Sequence, residues 1–448
     1  TNDIQDTAKS LMSQTEVIFI PTDNTIVSAI NTLVDLSKET KVPVVGSDAG
    51  SVEKGVLFTY GTNYEALGRQ TGKLAGRVLR GEKVKDVDAE YPKTLNVVVN
   101  HDMAKELGID VSSISDEESK ASTQDDKPIA KKDKAVIKLK VNKSSKKGFS
   151  NVVLTAISQG LLWAIMAIGV FITFRILDLA DLTAEGAFPL GAATTTIMII
   201  RGINPIFATL GGFVAGMLAG AVSGFMHTKM KIPALLTGII TLTGLYSVNL
   251  LVLGSANVSL SGHNTLVTMV MDLGLSKLNG VILLGLIFVS LVVLMLVVLL
   301  NTQVGLALRA TGDNLAMGEA NGIKVDRMKI LGYMISNGLI ALSGALLAQN
   351  NGYADMNMGT GTIVNGLAAI ILAEVIVKYL PLGKRLWSIV VGAVLYRLVL
   401  VIILAMNVDA QMLKLASAIL LAIILYVPEV RQKLKIRPNK SLTPGGDK

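Results

Sequence analysis

Two hydropathy regimes divide the 448-residue chain. Over residues 1–110 short apolar runs alternate with amphipathic stretches, whereas from about residue 151 long apolar segments follow one another almost to the C-terminus. In the first regime Val17-Ile18-Phe19-Ile20 has the pattern of a buried strand and ends in the turn Pro21-Thr22-Asp23-Asn24. A helix is predicted from about Thr25 to Lys38, with Ile26, Ile30, Leu33 and Leu36 near one face. Val42-Pro43-Val44-Val45 predicts a second strand, closed by Gly46-Ser47-Asp48-Ala49-Gly50, and Leu57-Phe58-Thr59-Tyr60 a third. A helix over about Tyr64 to Leu79 and a strand over Leu95–Val99 follow. Strands separated by helices predict a parallel α/β sheet.

A membrane-spanning helix needs about 20 predominantly apolar residues. About nine segments of the second regime qualify: roughly 152–174, 184–200, 205–227, 233–254, 279–300, 329–350, 360–379, 386–406 and 411–428. The polar run from Ser255-Ala256-Asn257 to Ser261-Gly262 reads as an external excursion. With residue 151 outside, 16 Lys and Arg fall in cytoplasmic segments and three (Arg201, Lys277 and Lys414) outside, with Arg397 within the membrane. That bias places the start outside and the C-terminus in the cytoplasm. The lysines just before the first span argue the other way, and are overridden if a folded, exported domain precedes them. The expected architecture is a polytopic α-helical membrane protein of about nine spans preceded by an α/β domain. Its divisions are 1–111 (α/β domain), 112–150 (charged disordered linker), 151–435 (transmembrane domain) and 436–448 (cytoplasmic tail).

Composition sharpens this division. Hydrophobic residues make up 51% of the chain and charged residues 17%, against about 25% charged in soluble domains. A mean hydropathy of +0.54 excludes a wholly soluble or disordered protein. Residues 1–150 carry 22 basic and 22 acidic residues, so the whole +8 excess lies in the apolar part and reflects inner-face loops rather than nucleic-acid binding. No cysteine is present, which removes disulfides and thiolate metal sites, and His101, His227 and His263 are too scattered for a ligand cluster. Between Ser112 and Gly148 acidic residues give way to eight lysines over Lys131–Lys147 without an aromatic residue, a pattern of a charged tether that can touch lipid headgroups and not of a nucleic-acid patch. The chain begins at Thr1 without a charged segment followed by an apolar run. Either an earlier segment has been removed or the sequence starts inside a longer protein, and the second is expected.

Strand-end loops bind ligands in parallel α/β sheets. Thr22, Asp23, Asn24 and Thr25, with Ser47 and Asp48, occupy two such loops, where they serve as helix caps, ligand contacts or both. The runs Ile18-Phe19-Ile20-Pro21-Thr22-Asp23-Asn24-Thr25, Val42–Asp48 and Tyr64-Glu65-Ala66-Leu67-Gly68-Arg69-Gln70-Thr71-Gly72 resemble the C-terminal half of an ABC-transporter solute-binding protein of the tryptophan/tyrosine type. The resemblance implies that Asp23, Asn24 and Thr25, and also Ser47 and Asp48, face a ligand between two lobes, of which about one is present here.

In the membrane regime, Gly212, Gly216, Gly220 and Gly224 line one helix face, either packing within the subunit or meeting a second copy. Glu374 and Arg397 interrupt apolar segments and are read as an intrabundle ion pair, with substrate or headgroup contact as alternatives. Asp181, Thr183, Glu185 and Pro189 mark a break before the second span that either borders a translocation path or caps the helix through Asp181.

The longest cytoplasmic loop runs from Arg309 through Gly312, Asp313, Asn314, Gly318, Glu319, Asn321 and Gly322 to Ile323. A short helix is predicted from about Asn314 to Ala320, stopped by Asn321-Gly322. By itself it is an amphipathic connector or a handle for a soluble partner. It resembles the coupling helix of ABC importer permeases of the branched-chain-amino-acid/ribose family, as do Ile157–Ile165, Asp181–Gly191 and Leu367–Glu374 around it. That resemblance spans most of 151–435 and lies nearest the tryptophan/tyrosine-type system. It implies a bacterial inner-membrane permease with its binding domain outside, a separate ATPase subunit docked on the loop, a second permease copy, and an amino-acid cargo, with ATP used by the partner and no cofactor on this chain. No G-x-x-x-x-G-K-[ST] run occurs, and no catalytic constellation stands out, so the chain is not expected to be an enzyme. The rival readings are an ion-coupled carrier with a sensory ectodomain, working through Glu374, Asp181 or Glu185, and a non-transporting remnant.

Overall fold

The computed structural model describes residues 4–111 with short interruptions, 118–120, 149–376 apart from 261, 381–405 and isolated positions from 415 to 426. The chain divides into two compact units, Thr1–Lys147 and Gly148–Lys448.

The first unit runs α1 (Ile4–Met12), β1 (Ile18–Ile20), α2 (Ile30–Thr40), β2 (Val44–Gly46), α3 (Ala49–Glu53), β3 (Phe58–Thr62), α4 (Tyr64–Leu79), β4 (Thr94–Val99), α5 (His101–Leu107) and β5 (Glu118–Lys120). The strands form one sheet in the order β1-β2-β3-β4-β5. β1, β2 and β3 pair in parallel as the alternation of strands and helices predicts, and α2 covers them with Ile30, Leu33 and Leu36 against Val44, Leu57 and Phe58. The sheet departs from the expected all-parallel form at β4, which runs antiparallel to both β3 and β5. A parallel pair needs a crossover that covers the sheet. No residue of α4 is buried, so the β3–β4 connection supplies no such cover. β5 also lies inside the stretch expected to be a structureless tether, where Glu118–Lys120 gain a ladder against Thr94–Asn96. The rest of residues 112–148 lies outside the described residues.

The second unit begins with α6 (Phe149–Phe171), which ends in a π-helical turn over Ile172–Ile176. There follow α7 (Ala184–Ile200), α8 (Pro205–Thr228), α9 (Ala234–Leu253), β6 (Asn257–Ser259), α10 (Leu266–Met271) and α11 (Lys277–Asn301). The chain continues through α12 (Gln303–Asp313), α13 (Leu315–Ala320), α14 (Val325–Asn351), β7 (Tyr353–Asp355), a 3-10 turn (Met356–Gly359), α15 (Thr362–Ile376) and α16 (Leu382–Ala405). The polar excursion after α9 forms β6, which pairs antiparallel with β7.

Among the described residues seven helices, not nine, are long and apolar enough to cross a membrane. α7 has 17 residues, about 25 Å of helix against a hydrocarbon core of about 30 Å. It is short because residues 177–183 stay irregular, with Asp178 at φ 55°. The ninth expected segment, 411–428, falls mostly outside the described residues.

Burial separates central from peripheral spans. The first span and α14 have 89% and 83% of their apolar windows buried, against 28% to 39% for α8, α9 and α11. The exposed face of α8 carries Phe207, Leu210, Val214, Leu218, Val222 and Phe225, an apolar stripe suited to lipid. Its glycines face the other way. A Cβ at Gly220 would fall 2.7 Å from the Tyr333 carbonyl carbon, and one at Gly224 would fall 2.8 Å from Ile330 Cα. Gly216 likewise abuts Asn337 and Ala341, so the glycine ladder packs α8 onto α14 within one subunit.

Candidate functional site

In the first unit, adjacent strands bring the two predicted loops together. Thr22, after β1, and Ser47, after β2, share a hydroxyl hydrogen bond of 2.9 Å. Both carboxylates act as local caps. Asp23 accepts the Ile26 N–H at 3.1 Å, and Asp48, the N-cap of α3, accepts the Ser51 N–H at 2.9 Å and its hydroxyl at 2.7 Å. Asn24 and Thr25 lie outside the described residues.

In the second unit the predicted cytoplasmic helix is present as α13, and α12 precedes it to make a capped hairpin. Asn314 accepts the Met317 N–H at 3.0 Å. Gly322 sits at φ 78°, which favours glycine, while the Asn321 amide donates to the Met317 carbonyl at 2.7 Å. Arg309 is half-buried and donates to the Leu300 carbonyl at 3.0 Å, so it ties α12 to the end of α11 rather than facing outward. Gly312 presses its backbone on the end of the first span. A Cβ there would lie 2.7 Å from the Ile176 carbonyl carbon, 3.0 Å from Leu177 Cα, and nearer still to the Ile176 oxygen. Gly318 is buried, whereas Asp313, Leu315, Met317 and Glu319 are exposed. The hairpin thus offers a mixed apolar and acidic tip on a base locked to α6 and α11.

The break before α7 splits the four residues predicted there. Asp181 and Thr183 are buried in a polar network. Asp181 accepts the Thr183 N–H at 2.9 Å and the Asn337 amide at 2.7 Å, and the Thr183 hydroxyl bonds Ser223 at 2.8 Å, which in turn donates to Thr241 at 3.0 Å. These bonds compensate the burial of a carboxyl and join α7, α8, α9 and α14. Glu185 and Pro189 instead line a cavity of about 430 Å³ with Gly186, Leu242, Tyr246, Asn249 and the 3-10 turn. Gly359 of that turn lies against the Glu185 backbone and Pro189. Irregular backbone at membrane depth is tolerated where it is buried or lines a cavity.

Glu374 and Arg397 do not pair. Glu374 accepts from Arg385 at 2.9 Å and from Arg175, so its charge is held between the end of the first span and the start of α16. Arg397 lies twelve residues beyond Arg385, about 18 Å along the helix. There its guanidinium sits 4.3 Å over the Trp163 ring, which itself stacks on Phe188.

Sequence reasoning missed Arg175 and Arg385 as partners of Glu374, and missed Asn337, Ser223, Asn249 and Tyr246. A signal existed for the asparagines, which stand inside long apolar helices. The arginines gave none, because they look like ordinary inner-face charges.

Both units also match known proteins in sequence. The family described as branched-chain amino acid transport system / permease component matches residues 152–428, and the one described as ABC transporter substrate binding protein matches residues 1–121. The tyrosine transport system permease protein of Clostridioides difficile (strain R20291) is 37% identical over 295 residues, 65% of this chain and 96% of that one. The tyrosine-binding protein of the same strain is 34% identical over 107 residues, 24% of this chain, which spans 31% of that protein's length. The ligand-free, open structure of a substrate-binding protein with adhesive properties from Clostridium difficile aligns at 35% identity and a TM-score of 0.24, covering 26% of this chain and 39% of that one. A permease is therefore joined here to a substrate-binding domain in a single chain.

Proposed function

Because the chain belongs to the branched-chain amino acid transport system / permease component family, we propose that it is the membrane subunit of an ATP-driven importer for an aromatic amino acid, tethered to part of its own receptor. The cargo follows from the two tyrosine-system relatives, which match the two units separately. In this reading a partner ATPase docks on the α12–α13 hairpin and hydrolyses the ATP, while this chain supplies the path. The observation that carries it is the seating of Gly312 on the backbone of Ile176 and Leu177. A push on the exposed tip reaches the π-helical end of the first span without passing through a flexible side chain. From there the irregular segment 177–183 leads to the Asp181 network and to Glu185 at the cavity.

Two copies enclose the path. The outer face of α9 carries Thr243, Gly244 and Ser247 beside the cavity, and small polar residues of this kind suit a helix–helix contact better than lipid. The membrane is the bacterial inner membrane, with the substrate-binding unit outside and the hairpin and C-terminus inside, as the distribution of basic residues supports. In the first unit Thr22, Asp23, Ser47 and Asp48, with Asn24 and Thr25, face the solute, and the two carboxylates also hold the loops in shape. A tether raises the receptor's effective concentration at the permease.

Proteoliposomes containing the chain and its ATPase test this proposal. ATP-dependent uptake of labelled tyrosine is expected, and uptake driven by a proton gradient without the ATPase would instead favour an ion-coupled carrier acting through Asp181. Failure to transport under either condition, even with a complete binding protein added, would favour a non-transporting remnant. Orientation is checked directly, since the chain has no cysteine: a single cysteine replacing Asp313 should react with impermeant thiol reagents only from the inner face.

A further inference from the structure

The cavity between α7, α9 and the 3-10 turn is chemically one-sided. Among the described residues its wall holds one carboxylate, Glu185, and no lysine, arginine or histidine. Glu185 accepts the Gly361 N–H through Oε1 at 3.1 Å, leaving its other oxygen for the cavity. Asn249, 2% exposed, donates its amide to the Gly186 carbonyl at 3.2 Å, which fixes the sense of the side chain beside Glu185. Its Oδ1 is buried and has no hydrogen-bond partner.

A carboxylate on this wall, with no cation among its described lining residues to neutralise it, matches a group bearing positive charge and N–H donors. Leu242, Tyr246 and Met356 add apolar and aromatic surface to the same cavity. A volume of about 430 Å³ falls within the range of small-molecule sites and accommodates one ring and its substituents.

We propose that this cavity selects a protonated primary amine carrying an apolar or aromatic side chain, with Glu185 holding the ammonium. The inference rests on the cavity's place in the translocation path and adds the chemistry read there. A carboxylate on the solute meets no cation in this wall, so an amine without a carboxylate still binds and an acid without an amine does not.

The test uses the full chain in lipid nanodiscs, with 2-phenylethylamine and 3-phenylpropionate as probes, and ATP-driven tyrosine uptake by the assembled complex measured in parallel. The wild type is expected to bind the amine and not the acid. Glu185→Gln should weaken amine binding by about 10- to 100-fold, the range of a hydrogen bond to a charged group. Glu185→Asp, which keeps the charge at the same position, should still bind the amine and not the acid. That second variant keeps the proposal open to refutation if Glu185→Gln does not fold. Equal binding of both probes, wild-type affinity in Glu185→Gln, or loss of amine binding in a folded Glu185→Asp overturns it. Amine binding that follows this pattern without ATP-driven uptake supports the site and refutes the importer. Uptake by Glu185→Gln with wild-type affinity refutes the site and leaves the importer standing.

Discussion

Replacing Gly312 with alanine adds one methyl group at the joint between the hairpin and the transmembrane bundle. The new carbon would sit 2.7 Å from the Ile176 carbonyl carbon and 3.0 Å from Leu177 Cα, whereas carbon atoms pack comfortably at about 3.5–4.0 Å. Every obstacle is backbone, so no side chain can rotate aside, and α12 has to retreat by on the order of 1 Å. Overpacking of this kind costs about 1–3 kcal/mol, and about 1.4 kcal/mol is a tenfold change in an equilibrium. The docked, force-transmitting arrangement should therefore lose roughly tenfold in population. Gly318→Ala is the control in the same hairpin, because its Cβ meets only Val325 Cγ2 at 3.6 Å and the Ala310 oxygen at 3.9 Å. In proteoliposomes with the partner ATPase, Gly312→Ala should cut ATP-driven uptake about tenfold and uncouple ATP turnover from transport, while Gly318→Ala keeps both. Copurification of the ATPase shows whether docking or transmission is lost. If Gly312→Ala transports and hydrolyses as the wild type does, with Gly318→Ala equal to it, the hairpin is not the mechanical link.

Three further outcomes follow from packing and charge. Gly216→Leu places a side chain against the Asn337 carbonyl and the Ala341 Cβ, which should cost about 1–3 kcal/mol or more and lower the thermal midpoint; Gly211→Ala, whose obstacle is the flexible Met198 thioether, should cost less, and equal midpoints would contradict the ladder. Glu374→Gln removes the shared partner of Arg175 and Arg385 and should cost roughly 1–2 kcal/mol. Combined with Arg397→Gln it should be additive, since those two residues do not touch, and a coupling above about 0.5 kcal/mol in the double-mutant cycle would show otherwise. Asp48→Ala removes the α3 cap, worth about 1 kcal/mol, so amides of residues 49–53 should exchange about fivefold faster; unchanged exchange with weakened ligand binding would make Asp48 a contact residue alone.

What the linear chain determined is what depends on local pattern. Span-length apolar runs, strand alternation, helix stops at Asn321-Gly322 and the charge asymmetry of the loops are properties of consecutive residues, so two regimes and a short capped helix between spans were legible before any fold. What depends on which distant backbones meet was not. Glu374 chose Arg175 and Arg385 over Arg397 because helix rise sets depth, and depth decides which charges share a level. β4 runs antiparallel to β3, and α4 between them buries no residue, neither of which periodicity records. The break before α7 was visible as Asp181, Thr183, Glu185 and Pro189, but only packing against α9, α14 and the 3-10 turn sorted the first pair into a buried network and the second into a cavity wall. A carboxylate's partners are settled by geometry in three dimensions, and its position in the sequence says only that it will need them.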